Sequence, residues 1–147
     1  MNKAILNKEI QDFINSNLKS DITKLVLKGS PFEGISIQEL AEQIEAKNKC
    51  EQKLPKWFST QNIYYPNKLN IEQTSSEITA NYKANLILGN DLIDITGGFG
   101  VDAYYFSQKV NNVTHCEINE DLSEIVSHNL KQFNIKNHCC PIKKKPN

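Results

Sequence analysis

Arginine is absent from this 147-residue chain. Its 17 basic side chains are all lysine, set against 17 acidic ones. Lysine, asparagine and isoleucine are abundant throughout, so the missing arginine reads as a compositional bias of the source and carries no functional meaning. No sign of charge is in excess either. A formal net charge of +0 argues against a chain whose main business is to coat nucleic acid electrostatically. No apolar run is long enough to span a bilayer. The start, "MNKAILNKEIQDFINSNLKSD", is broken up by Lys, Asn and Glu and lacks the apolar stretch of a secretion signal. The cytoplasm is the default location, with no membrane partner expected. Cysteines are few: Cys50, Cys116, Cys139 and Cys140. None forms a C-x-x-C pair, which excludes a zinc ribbon and a dithiol redox motif, and reduced thiols are expected. His128, His138, Cys139 and Cys140 match no standard ligand spacing, so no metal site is expected. What remains, 39% hydrophobic with a mean hydropathy of −0.50, fits a soluble globular protein with a modest core, about the size of one ordinary domain.

The first half reads as helices. In "AILNKEIQDFINSNL", Ile5, Leu6, Ile10, Phe13, Ile14 and Leu18 recur at helical spacing. Asp21 caps a second helix through "ITKLVLK", stopped by Gly29 and Pro31. Ser36 starts a third, in which Ile37, Leu40 and Ile44 share a face. Ser36 with Glu39 forms a capping box, each side chain satisfying a backbone donor of the other. Such faces are core, so a small helical bundle is expected. Lys53 to Gln73, with the only Trp and two tyrosines, reads as a connection that packs. Trp57, Phe58, Tyr64 and Tyr65 are expected to join the helical part to the second half of the chain rather than to line a flat ligand. In "TSSEITANYKANLILGN", Thr74 and Glu77 predict another capping box. Ile78, Tyr82 and Leu86 predict one apolar face, and Gly89-Asn90 a stop.

The second half turns on "NDLIDITGGFGVDAYYFSQ". Leu92 to Ile95 is a short β-rich apolar run, suited to a strand buried on both faces of a parallel sheet. Three glycines follow in four residues, then a helix through "VDAYYFSQKV". Val113 to Asn119 predicts a second strand with Glu117 at its end, and "EDLSEIVSHNLKQF" a second helix. The order is β-α-β-α, with the right-handed crossover usual for such units. Glycines let a ligand lie against the backbone, and free N–H groups at a helix start favour polar or anionic atoms. An acid ending the next strand can accept from two vicinal ribose hydroxyls. The 23 positions from Asp94 to Glu117 are near the spacing of about 20 expected of a nucleoside site. A ribose-containing ligand is therefore expected. A dinucleotide fingerprint is met only in part, by Gly98, Gly100 and Ala103.

An acid before the glycines points elsewhere. Asp94, Thr96, Gly98 and Gly100 match the acid-x-small-x-G-x-G first motif of class I methyltransferases, with Thr96 in place of its first glycine. "DITGGFGVD" followed by "EIN" resembles RNA-modifying methyltransferases that carry D-x-T-x-G-x-G-x-D and then E-x-N. The ordered set "KLP", "YYP", "EQTSSEITANYKA", "DITGGFGVD" and "CEIN" resembles a bacterial family of class I S-adenosyl-L-methionine (SAM)-dependent methyltransferases, which have an N-terminal helical region and a THUMP-like C-terminal domain. The likeness runs from about Ile5 to Phe133, and Gln73 to Lys83 is its most family-specific block.

The resemblance implies SAM as cofactor and RNA as partner. It implies that Asp94, Gly98 and Gly100, in one turn with Thr96 and Gly97, line the backbone and methionine part of SAM. Glu117, with Asn119 of the same motif, would hold the ribose. Asp102 would lie near the methionyl amine or complement the helix dipole. Ser75, Ser76, Glu77, Tyr82 and Lys83 would either approach the pocket or cap and salt-bridge. No catalytic residue is identified.

The expected fold is α/β: an N-terminal helical bundle with its connection over 1–68, then an incomplete Rossmann-like, class I methyltransferase β-α-β-α unit over 69–147. The tail "IKNHCCPIKKKPN" has a proline, a lysine triplet and no β-branched run, so no third strand is expected. The first strand is then expected to carry an exposed apolar edge. The D-P-P-type substrate motif of related enzymes and the THUMP-like domain of the resembled family are missing. A truncated or frame-disrupted chain, or one that needs a partner, is expected, inactive by itself. Two other classes stay open: another Rossmann-like nucleotide binder, or a non-catalytic helical interaction module with a vestigial nucleotide-binding unit.

Overall fold

The computed structural model describes residues 1–135 and the backbone of residues 138–141. The chain divides into two compact units, Met1–Glu72 and Gln73–Asn147.

The first unit is helical. A single 3-10 turn, Lys3–Leu6, precedes α1 (Lys8–Ser16), followed by α2 (Ile22–Lys28), α3 (Ile37–Lys53), α4 (Pro55–Ser59) and α5 (Lys68–Gln73). The helix expected from residue 4 onward is therefore split. Asn7 takes an extended backbone between the 3-10 turn and α1. The caps are local and match the sequence. The Asp21 side chain accepts from the Lys24 amide, and Ser36 and Glu39 form the reciprocal box. Ile5, Ile10, Ile14, Leu40, Ile44, Leu54, Trp57, Ile63 and Ile71 are buried. The aromatic connection belongs to this core. The Tyr65 hydroxyl donates to the Trp57 carbonyl at 2.8 Å, and Gln43 clamps the Tyr65 backbone from both sides. Burial holds the Tyr65 phenol well above its ordinary pKa.

The second unit is mixed α/β: α6 (Glu77–Ala84), β1 (Asp91–Asp94), α7 (Val101–Phe106), β2 (Asn112–Glu117), α8 (Glu120–Gln132) and β3 (His138–Pro141). All three strands are parallel, in the order β1-β2-β3. Asp94 lies opposite His115, and Glu117 opposite Pro141. Ala103 of α7, Val110 before β2, and Val113 within β2 form a buried cluster, with Ile87, Leu92 and Phe106 packed against it. Leu122, Ile125, Val126 and Leu130 give α8 its buried face, and α8 packs on β2 and β3. No helix among the described residues is long and apolar enough to cross a membrane.

Four expectations are corrected. A third strand does form: the tail pairs with β2 because that strand's far edge offers a ladder of backbone donors and acceptors, which a segment of weak strand propensity can still use. The cap of α6 is Ser76, which accepts from the Thr79 amide, and not Thr74. The stripe Ile78, Tyr82 and Leu86 is exposed, whereas Ala80 and Ala84 are buried. Helix α6 packs on α7, and small side chains allow the closest approach of two helices. Finally, β1 is not covered on both faces. Leu92 joins the cluster, but Ile93 on the alternate face is 66% exposed.

Ile93, Ile95, Leu86 and Leu88 thus leave apolar surface around a strand that, among the described residues, pairs on one side only. Such edges template association. Ile93→Lys is expected to reduce concentration-dependent self-association, read by light scattering. Equal scattering from the variant and the parent chain would show that this edge is not the sticky surface.

Candidate functional site

The predicted site residues gather where β1 and β2 end. In β1, Asp94 is buried, and its Oδ1 accepts from the Thr96 amide at 3.0 Å and the Thr96 hydroxyl at 2.5 Å. Its Oδ2 faces His115 Nδ1 at 3.3 Å. Burial pushes the Asp94 carboxyl upward, but the hydrogen bonds from His115 and from both Thr96 donors outweigh it and hold the group below the usual aspartate value. With a carboxylate as acceptor, Nδ1 is the donor in this contact. His115 is 0% exposed, and its Nε2 has no hydrogen-bond partner among the described residues. Sequence reasoning missed His115, because its closeness to Asp94 depends on the parallel register and not on any motif.

The turn then folds back on the end of β2. The Gly98 amide donates to Glu117 Oε2 at 2.6 Å, and the Asn119 amide to Oε1 at 2.7 Å. Asn119 in turn caps α8 by accepting from the Leu122 amide. The two places expected to flank a ligand from opposite ends are therefore in direct contact through one carboxylate.

The glycines have separate reasons. A Cβ on Gly97, at φ +63°, would lie 2.5 Å from Glu117 Oε2 and 3.0 Å from the Cys116 carbonyl. On Gly100 it would lie 2.6 Å from Val126 Cγ1 of α8. Both sites are closed by the protein itself. A Cβ on Gly98 would meet nothing within 4 Å. Of the three glycines in this turn, Gly98 alone leaves open space above the backbone.

Around Asp102, in the first turn of α7, lies a polar cluster. Asp102 Oδ2 accepts from the Ser75 hydroxyl at 2.9 Å and from the Lys83 ammonium at 2.8 Å, and Lys83 also donates to Ser75 at 2.8 Å. Its Oδ1 is buried without a hydrogen-bond partner among the described residues. Glu77 accepts from the Tyr105 hydroxyl at 3.0 Å. Burial first, and that carboxylate second, raise the Tyr105 phenol well above its ordinary value. Ser76 is spent on the cap, and Tyr82 is exposed on the outer stripe. Of the segment 73–83, then, Ser75 and Lys83 reach the Asp102 cluster, while Ser76 caps α6 and Glu77 holds the Tyr105 hydroxyl. No group of three or more His, Cys, Asp or Glu among the described residues could hold a metal ion. The side chains of His138, Cys139 and Cys140 lie outside the described residues.

The fold is similar to the crystal structure of a candidate methyltransferase from Porphyromonas gingivalis W83. The TM-score is 0.74 at 26% sequence identity, over 89% of this chain and 32% of that one. This chain thus spans about a third of that protein's length. No protein-family model matches the chain, and no curated protein matches it.

Proposed function

We infer that the second unit is the SAM-binding, Rossmann-like part of a class I methyltransferase, of a type that modifies a nucleobase in RNA. The observation that carries this reading is the 2.6 Å hydrogen bond from the Gly98 amide to Glu117, which brings the turn after one parallel strand onto the acid ending the next. The likeness to the P. gingivalis protein supports methyl transfer, and the D-x-T-x-G-x-G-x-D and E-x-N resemblance supports RNA as the acceptor.

The residues present fit the cofactor. A carboxylate offers about four lone-pair sites. Gly98 and Asn119 each take one on Glu117, which leaves acceptors for two vicinal hydroxyls of a ribose. The open space above Gly98 admits a ligand against the backbone. Asp102 keeps a buried acceptor, Oδ1, for which an ammonium such as the methionyl amine is the complementary donor. Asp94 binds no ligand in this reading; it fixes Thr96 and so the path of the turn. SAM, when bound, supplies a methyl group activated on a sulfonium. The chain's own residues bind and orient.

Calorimetric titration with SAM, its demethylated product and NAD tests the reading. SAM and the product are expected to bind, and NAD to bind far more weakly. Glu117→Ala is expected to weaken SAM by at least tenfold, or about 1.4 kcal/mol, because hydroxyls lose a charged acceptor. Preference for NAD, or unchanged SAM binding by Glu117→Ala, would defeat it.

A further inference from the structure

A second site lies in the helical unit. A cavity of about 380 Å³ is lined by Lys8, Gln11, Asp12 and Asn15 of α1, Lys47 of α3, Phe58 of α4 and residues 59–62. That volume is within the range of small-molecule pockets, about 300–1,000 Å³. Lys47 is the buried member of its lining, only 7% exposed. Its ammonium donates to the Asn15 side-chain carbonyl at 2.7 Å, and lies 5.7 Å from the centre of the Phe58 ring and 5.9 Å from that of Tyr65. Among the described residues no carboxylate pairs with it.

A lysine is seldom buried without a counter-charge. One neutral amide and two ring faces do not replace the hydration of an ammonium, which carries three donors. Burial accordingly pulls the Lys47 pKa below the ordinary lysine value, against a smaller opposing pull from Cys50. The lining holds two cations, Lys8 and Lys47, and one acid, Asp12. It therefore has one positive charge to spare. The volume exceeds that of a bare oxyanion, and Phe58 offers a ring face for a flat body.

The geometry points to a binding site for a small aromatic anion, whose carboxylate or phosphate is held by Lys47 and whose ring lies against Phe58. The oxyanion supplies the charge that the lining lacks. The amide and hydroxyl groups of Gln11, Asn15 and Thr60 can hydrogen-bond the polar edge of such a ligand. This site lies wholly within Met1–Glu72, so it stands or falls independently of the SAM reading.

The test is an amide-resonance titration of the whole chain with benzoate, phenyl phosphate, inorganic phosphate and the uncharged benzyl alcohol. Benzoate or phenyl phosphate is expected to shift residues 6–15 and 58–62, with a Kd of about 1 mM or below. Preference between these two separates a carboxylate from a phosphate ligand. Inorganic phosphate and benzyl alcohol are each expected to bind at least tenfold more weakly than the better aromatic anion. Lys47→Met should lower affinity for that anion at least tenfold. Asn15→Asp provides the counter-charge from within; it should lower affinity as strongly while raising the melting temperature, and it decides the matter if Lys47→Met does not fold. No shift by either aromatic anion, equal binding of benzyl alcohol or inorganic phosphate, or unchanged affinity in Asn15→Asp would overturn the proposal.

Discussion

Gly100→Ala is expected to destabilise the second unit by about 2–5 kcal/mol. Two costs combine. The residue sits at φ +78°, where a Cβ costs about 1–2 kcal/mol. That Cβ would also lie 2.6 Å from Val126 Cγ1, and forcing an extra carbon into a packed interior costs about 1–3 kcal/mol. Val126 cannot swing aside easily, because it is 0% exposed and β-branched, with one strongly preferred rotamer in a helix. Gly98→Ala serves as the control. Its φ of +81° imposes the same backbone strain, but its Cβ meets nothing, so a loss of only about 1–2 kcal/mol is expected. Denaturant titration of both variants measures the difference. The cost of Gly100→Ala should also fall in a Val126→Ala background, with a coupling of at least about 1 kcal/mol. Equal losses at the two glycines, together with simple additivity, would mean that the α8 contact does not set the shape of the turn.

Asp94→Ala should cost about 1–3 kcal/mol near neutral pH, and the cost should shrink in acid. The substitution strands His115 Nδ1 in a fully buried place, at about 1–3 kcal/mol for an unsatisfied buried donor, and removes the acceptor of the Thr96 amide and hydroxyl, which water can partly replace because Thr96 is exposed. The folded chain holds the Asp94 carboxyl below the usual aspartate value, which is near about 3.9 in an unfolded chain. The stabilisation is therefore complete above that value and is lost as the pH falls through the lower, folded one. The parent chain and the variant should differ most at pH above about 5 and draw together as the pH falls below the ordinary aspartate value. Thermal melts across that range measure this, and a gap that persists undiminished into strong acid would show that the ionised carboxylate is not what holds the turn.

Much of the local structure was legible because its causes are local. Asp21 and Ser36 with Glu39 mark helix starts through bonds that span three residues, so the sequence carries the whole geometry. The apolar spacing of α8 picks out the face that is buried, because a long helix shows its stripe over several turns. The strand, glycine turn and helix order was legible for the same reason, as was Glu117 at the end of β2. In α6 the local signs conflict. Thr74 and Ser76 are both capping residue types, and the apolar stripe and the alanine stripe are both periodic. The packing of α6 against α7 settles which stripe is buried, and no pattern within eight residues encodes that contact. Strand β3 escaped notice because its residues carry little strand preference, and the edge of β2 supplies the reason to pair.

By itself the sequence determined the caps of α2 and α3, the glycine turn and the acid 19 residues beyond Gly98, since each depends on residue type and short spacing. Only tertiary structure decided the partners across distance: His115 on Asp94 through strand register, Val126 over Gly100 through helix packing, and Lys47 buried at a cavity wall with no carboxylate paired to it among the described residues. The physical reason is shared by all three. Burial and contact between remote segments depend on where whole elements come to rest, and side-chain identity along a short stretch does not specify that.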